Sequence, residues 1–308
     1  MTMQLPNFFI IGAAKAGTTA LYDMLAQHPE IYMSQVKEPR FFATVGEPPL
    51  YPGPAGDFLR RVTVWRPHEY AMLFAGVTDQ RAIGEASAIY MRLPLAAQRI
   101  RQSLPKSRLI AILRQPAERA YSNYTFMRQH GIEPESSFEA ALSQEDARAQ
   151  AGWYPGIYYQ KNGYYHAQLT DYYALFPREQ IKVVLHEDLR DTPQALLRDL
   201  FRFLDVAENF APEIRRSNVT LTPKNRRLHQ LATHPTQVEE RAKFLPAFAQ
   251  RTLVSGLQRV DSQFNLAPPP LLDPETRACL TEEYREDILK LQELIGRDLS
   301  HWLKEAKK

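Results

Sequence analysis

The chain has a single cysteine, Cys279, in 308 residues. Internal disulfides are thereby excluded, and so is any zinc site built from several thiolates. Cys279 falls in a helical pattern and is read as a small, buried apolar residue. No apolar run approaches the length that spans a bilayer, and the N-terminal segment lacks the basic and then apolar stretches of a secretion signal. These absences predict a soluble, cytoplasmic protein. An excess of one charge is also missing. Against 38 Lys and Arg stand 35 Asp and Glu, a net of +3. That balance argues against a dedicated nucleic-acid binder and makes local basic clusters matter more than the total. No internal repeat or low-complexity tract is present. His28, His186 and His229 show no metal-ligand spacing and are read as core or surface histidines.

What is present begins near the N-terminus. Phe8-Phe9-Ile10-Ile11 is an apolar run ending at Gly12, and Ala13-Ala14-Lys15-Ala16-Gly17 is a loop of small residues around one lysine. Thr18 and Thr19 then open an amphipathic segment that runs to Gln27. Read as strand, tight loop and helix, the loop amides and the first helical turn converge on one spot, and the helix dipole adds positive potential there. Lys15 adds a full charge and the two threonines add hydroxyl donors, so a phosphate is the natural occupant. The spacing resembles the Walker A pattern G-x-x-x-x-G-K-[ST], with glycines at 12 and 17, but the lysine lies between them and Thr18 holds the Walker lysine's place. A lysine drawn back into the loop would sit beside a 5′-phosphate and whatever it carries, not at the β- and γ-phosphates. A small-residue turn with a solvated lysine is the alternative for this motif alone.

With 44% apolar residues, a sizeable core is expected from a chain of this length. Short apolar runs at 30–33, 82–85, 108–114 and 180–185 read as strands. Of these, Arg108-Leu109-Ile110-Ala111-Ile112-Leu113-Arg114 is nearly continuous apolar, as a parallel strand covered on both faces is. Helical patterns alternate with the strands at 66–74, 93–104, 116–128, 136–144, 164–176 and 192–204, while 46–67 reads as a loop. Such alternation predicts an α/β fold, a central parallel sheet flanked by helices. Beyond 218 the signals weaken into a basic loop with Lys224, Arg226 and Arg227, mixed helix and loop, and a Pro268-Pro269-Pro270 spacer. Asp273-Pro274 caps a last long helix carrying Leu280, Tyr284, Ile288, Leu291 and Ile295 on one face. One domain over 1–308 is expected: a core at 7–206, a basic loop and helical lid at 207–272, and C-terminal helices at 273–305.

Several stretches together resemble the sulfotransferases that use 3′-phosphoadenosine 5′-phosphosulfate, especially the bacterial and heparan-sulfate-type branch. The first loop is similar to that family's 5′-phosphosulfate loop, whose lysine also lies inside the loop. Leu113-Arg114-Gln115-Pro116-Ala117-Glu118-Arg119-Ala120-Tyr121-Ser122 resembles its 3′-phosphate motif, in which an arginine ending a strand and a serine eight residues on hold the phosphate. Lys37-Glu38-Pro39-Arg40-Phe41-Phe42 resembles the segment with the catalytic carboxylate. The segments at 162–169, 176–189 and 294–299 complete the likeness, which spans about 7 to 206 plus the last helix. It implies a P-loop-like three-layer fold of the same α/β class and an O-sulfotransferase. The donor would bind at Ala14, Lys15, Ala16, Gly17, Thr18, Thr19, Arg114 and Ser122, with Lys224, Arg226 and Arg227 closing over it. No metal is implied, and adenosine 3′,5′-bisphosphate is the product.

In that scheme Glu38 is the general base, Lys15 stabilises the departing phosphate, and Lys37, Arg40, Glu85 and Tyr165 are candidates for the acceptor side. Each residue has a plainer alternative. Glu38 could pair with Lys37 or Arg40 at the surface, Arg114 could form a structural ion pair, Ser122 could face solvent, and Tyr165 could be a packing tyrosine. Arg40, Ala43 and Ala86 replace a histidine, an acidic residue and a lysine of the heparan-type relatives. These departures argue against a heparan-like substrate; the resemblance implies a carbohydrate or glycan acceptor, with a small hydroxylated metabolite or a lipid as the alternative. Two readings of other kinds also stand. A P-loop nucleotide kinase would need ATP and Mg²⁺, and a non-catalytic nucleotide-binding protein would bind donor without turnover. The oligomeric state is not legible.

Overall fold

In the computed structural model, residues 4–214 and 270–304 are described, with a few isolated positions between them. Five strands, β1 (Phe8–Gly12), β2 (Ile31–Met33), β3 (Ala82–Ala86), β4 (Arg108–Leu113) and β5 (Ile181–Leu185), form one sheet in the order β2-β3-β1-β4-β5. Every pairing within this sheet is parallel. All residues of β1 and β3 are buried, as the uninterrupted apolar reading requires of strands covered on both faces. At Gly84 a Cβ would meet the Phe8 ring at 2.2 Å and Met33 Sδ at 2.5 Å, so only glycine lets β3 pack between its neighbours.

The helices that follow are α1 (Thr18–Leu25), α2 (Phe41–Thr44), α3 (Gly56–Val62), α4 (Pro67–Met72), α5 (Pro94–Ser103), α6 (Pro116–Gln129), α7 (Phe138–Ser143) and α8 (Glu145–Gln150). Then come α9 (Tyr165–Leu175), α10 (His186–Asp191), α11 (Pro193–Leu204), α12 (Pro274–Glu283) and α13 (Arg285–Ile295). Five of them, α4, α5, α6, α11 and α12, start with proline in the first turn, where its fixed φ suits the helix and its missing N–H is not needed. The architecture is thus the expected parallel sheet flanked by helices.

Three local expectations are corrected. The stretch 46–67 is not all loop: α3 forms there because Leu59 and Ala55 find the core. The last helix is two, since Tyr284 breaks the run between α12 and α13. Its ring is wholly buried and its hydroxyl donates to the Gln160 carbonyl at 2.8 Å, so the side chain anchors the break. Cys279 is exposed on α12, because the face that packs inward carries Leu280 and Thr281. Lys224, Arg226, Arg227 and His229 lie outside the described residues.

Candidate active site

Because β1 and β4 are hydrogen-bonded neighbours, Gly12 and Leu113 both end at the carboxyl edge of the sheet, and the segments leaving them open into one cleft of about 2190 Å³. The loop after β1 supplies Ala14, Lys15, Gly17, Thr18 and Thr19 to its wall. Gly17 has φ +108°, and a Cβ there would lie 2.9 Å from Leu189 Cδ2, so the turn into α1 needs glycine twice over. Ala16 is placed differently from expectation. Its side chain is fully buried and its amide donates to the Ala13 carbonyl at 3.1 Å, so it shapes the turn and does not line the cleft.

Lys15 itself sits in the left-handed region at φ 67°, which directs its side chain over the Phe126 ring, 4.3 Å from the centroid. Burial, then the charges of Arg114 and Lys37, lower its pKa to about 8. A lysine held this way among cations is short of negative charge, and the cleft beside it fits an anion. Arg114, directly after β4, lines the same cleft and donates to Glu118 at 3.2 Å, while its Nε is buried with no partner among the described residues. Ser122, two turns along α6, lines the cleft as well. The loop, Lys15, Arg114 and Ser122 are therefore brought together, and their donor chemistry suits a ligand with two anionic groups.

Glu38 stands on the other side of Lys37. Its backbone, at φ 62°, is tied by its amide to the Ala86 carbonyl at 2.8 Å, so the end of β3 carries it. The carboxylate receives the Ala88 N–H at 3.2 Å on each oxygen, lies 3.0 Å from Lys37 Nζ and 3.9 Å from Arg40 Nη2, and keeps 23% of its side chain exposed. Burial pushes this carboxyl up, but Lys37, Arg40 and the Ala88 amide outweigh it and hold it below the usual carboxylate range. Arg40 is fixed in turn by Ser87 Oγ, which accepts its amide at 2.9 Å, and by Tyr154. Lys37, Glu38 and Arg40 all face the cleft.

Two candidates for the acceptor side are elsewhere. Glu85 is completely buried beneath the Glu38 segment, accepting hydroxyls from Tyr70 and Tyr90 at 2.9 Å each. The rings of Phe41, Phe42, Tyr70 and Phe74 pack against one another here, and burial among them pushes its pKa up to about 7. Tyr165 is also completely buried, and its hydroxyl donates to the Arg114 carbonyl at 2.9 Å. It supports the end of β4 instead of meeting an acceptor.

Some cleft residues had no flag in the sequence. His186, read as a core or surface histidine, opens α10 at the end of β5 and lines the cleft, where burial and Arg114 lower its pKa. Its position just after a strand neighbouring β4 is the signal that could have found it. His28, by contrast, is a core histidine, bonded to the Ala207 carbonyl at 2.9 Å and packed on Phe201 and Phe210. Arg92, Tyr154, Arg277 and Lys304 also line the cleft, the last two from the C-terminal segment. No group of three or more His, Cys, Asp or Glu side chains among the described residues could hold a metal ion. No described helix is long and apolar enough to cross a membrane.

A parallel α/β sheet with a lysine-bearing loop after one strand and an arginine after its neighbour, both opening into one cleft at the carboxyl edge, is the arrangement in which open α/β proteins place their ligand sites. The chain matches the sulfotransferase domain over residues 5–245, and it belongs to that family. The crystal structure of a sulfotransferase from Alicyclobacillus acidocaldarius shares its fold with a TM-score of 0.75 and 30% identity, over 98% of this chain and 100% of that one. Bifunctional heparan sulfate N-deacetylase/N-sulfotransferase 3 of Mus musculus is 26% identical over 314 residues, 98% of this chain and 31% of that protein. Carbohydrate sulfotransferase 15 of Mus musculus is 28% identical over 246 residues, 66% of this chain and 44% of that protein. The chain spans less than half the length of these two curated relatives.

Proposed function

We propose that this sulfotransferase moves a sulfuryl group from 3′-phosphoadenosine 5′-phosphosulfate to a hydroxyl of a carbohydrate or glycan. One observation carries the reading: the Lys15 loop and the Arg114–Ser122 face open from adjacent strands into a single cleft, with Glu38 across from them on the β3 side. Two separated anion sites suit a nucleotide phosphorylated at both its 5′ and 3′ positions. The depressed Lys15 pKa and the unpartnered Arg114 Nε both favour negative charge there. The names of two relatives, a heparan sulfate N-sulfotransferase and a carbohydrate sulfotransferase, support a glycan as the acceptor.

The donor supplies a sulfuryl group already activated as an anhydride with phosphate. This chain's residues do the remaining work. The amides of the first turn of α1 and the loop, with Thr18 and Thr19, hold the 5′ side, and Lys15 neutralises charge that grows on the phosphate oxygen. Arg114 and Ser122 hold the 3′-phosphate. Glu38 accepts the hydroxyl proton. Its low pKa keeps it ionised and ready at neutral pH, and the acceptor's entry displaces water from the partly exposed carboxylate.

Calorimetric titration with adenosine 3′,5′-bisphosphate, 5′-AMP and ATP·Mg²⁺ tests the donor. Binding that requires the 3′-phosphate is the expected result. A preference for ATP·Mg²⁺ would replace the reading with a nucleotide kinase, and binding of the bisphosphate without turnover on any acceptor would leave a non-catalytic binder.

A further inference from the structure

We propose that Arg277, on the C-terminal helix α12, is a third binding residue for the donor's 3′-phosphate, and that Glu118 is the carboxylate this phosphate displaces. The inference rests on the donor reading above and adds a residue that none of the three donor and catalytic motifs, at 12–19, 37–42 and 113–122, contains.

Three contacts set α12 and the residues leading into it against α6 and its N-cap Gln115. Gln115 Nε2 donates to Thr281 Oγ1 at 3.0 Å, Arg277 Nη2 lies 3.6 Å from Glu118 Oε1, and the Tyr121 hydroxyl donates to the Pro270 carbonyl at 2.8 Å. As α6 numbers rise, the partners' numbers fall, so the two helices run in opposite directions. Arg277 accordingly stands level with the turn between Arg114 and Ser122. The Ser300–Leu303 turn closes the arrangement from behind, since Gln115 also reaches the Trp302 carbonyl and Arg277 Nη1 donates to the Lys304 carbonyl at 3.1 Å.

The charges there do not balance. Glu118 is the carboxylate shared by two guanidiniums, 3.2 Å from Arg114 Nη2 and 3.6 Å from Arg277 Nη2. Its side chain is 42% exposed, whereas that of Arg277 is 13% exposed. A carboxylate that exposed contributes little as an ion-pair partner. Both arginines keep a buried Nε with no partner among the described residues. All three side chains, with Ser122, line the cleft. A phosphate dianion offers more charge and more acceptor oxygens than Glu118, in a geometry that guanidinium forks match. Two arginines from sequence positions 163 apart on one phosphate would also explain why the C-terminal segment is fastened to the residue that follows Arg114.

The test is calorimetric binding of adenosine 3′,5′-bisphosphate and 5′-AMP to the wild type, Arg277→Gln, Arg277→Lys and Glu118→Gln. Arg277→Gln should weaken the bisphosphate about ten- to a hundred-fold while 5′-AMP changes less than about twofold, with partial recovery in Arg277→Lys. Glu118→Gln should bind the bisphosphate more tightly than the wild type, as expected of a carboxylate that the phosphate displaces, and unchanged or weaker binding would remove Glu118 from that role. Equal weakening of both nucleotides by Arg277→Gln, or no weakening, overturns the assignment. If Arg277→Gln does not fold, Arg277→Lys decides: weaker bisphosphate binding with 5′-AMP unchanged supports the proposal, and unchanged bisphosphate binding overturns it. A wild type with no preference for the bisphosphate removes the donor reading and this inference together, whereas a preference that survives in Arg277→Gln removes this inference alone.

Discussion

The Ala88 amide donates to both carboxylate oxygens of Glu38, at 3.2 Å each. A single N–H centred on the carboxylate fixes its plane without occupying either oxygen fully, so one lone pair can still take a proton from an acceptor. Ala88 lies in the turn two residues past β3, and the Glu38 amide returns to the Ala86 carbonyl, so the carboxylate is positioned by the end of β3 and the turn that leaves it.

Glu38→Gln keeps that shape and the Ala88 contact while removing the base. It should bind adenosine 3′,5′-bisphosphate as the wild type does and lose turnover by about 10²–10⁴-fold. Paired calorimetry and turnover measurements check this, and full activity in the variant would remove Glu38 from the role of base.

Lys15 gives a pH dependence with a definite sign. Free, its pKa is lowered to about 8 by burial, Arg114 and Lys37. A bound phosphate favours the ammonium form and raises that pKa, so binding takes up a proton wherever the free lysine is neutral. Affinity for the bisphosphate should therefore be steady below pH 8 and fall above it, by roughly tenfold per unit at most. Calorimetry in two buffers of different ionisation enthalpy measures the proton directly. A Lys15→Ala variant that retains the same fall would assign it to another group.

The strands, and the residues that leave them at the cleft, were legible in the sequence for a physical reason. A parallel strand buried on both faces is a continuous apolar run, and the residues just after it must lie at the sheet's carboxyl edge. Lys15 and Arg114 follow from that geometry and from local motifs, whereas Glu38 is legible only through the likeness of residues 37–42 to a family segment. The same continuity hid Glu85: a strand apolar on both faces has no alternation to tell which side chain turns under the core, and its two tyrosine partners come from outside the strand. Tyr165 was misplaced similarly, because helical spacing shows that a face is buried but not which carbonyl its hydroxyl meets. Arg277 reaches the cleft through packing of α12 on α6, a long-range contact with no local signature.

Arg114→Ala tests the division of labour between the two anion sites. Loss of its guanidinium should weaken adenosine 3′,5′-bisphosphate by about 1.5–3 kcal/mol, ten- to a hundred-fold, and adenosine 5′-phosphosulfate far less. Competition binding with the two nucleotides measures the ratio. Equal weakening of both would mean that Arg114 acts on the 5′ side or through the fold.

Glu85 makes stability depend on pH. In the folded chain its pKa is pushed up to about 7 by burial, from an ordinary value near 4.5 in the unfolded chain. The folded state therefore holds the proton at pH values where the unfolded state has released it. The unfolding free energy must then fall as pH rises from about 4.5 to about 7 and level off above, by on the order of 3 kcal/mol in total. Glu85→Gln keeps an oxygen to accept the Tyr70 and Tyr90 hydroxyls but carries no charge at any pH. Its melting temperature should thus change less between pH 5 and pH 8 than that of the wild type, and the variant should be the more stable of the two at pH 8. Thermal scans of both proteins across that range make the comparison. Parallel curves would show that Glu85 is ionised throughout and that its two tyrosine donors, Tyr70 and Tyr90, offset the burial of its charge.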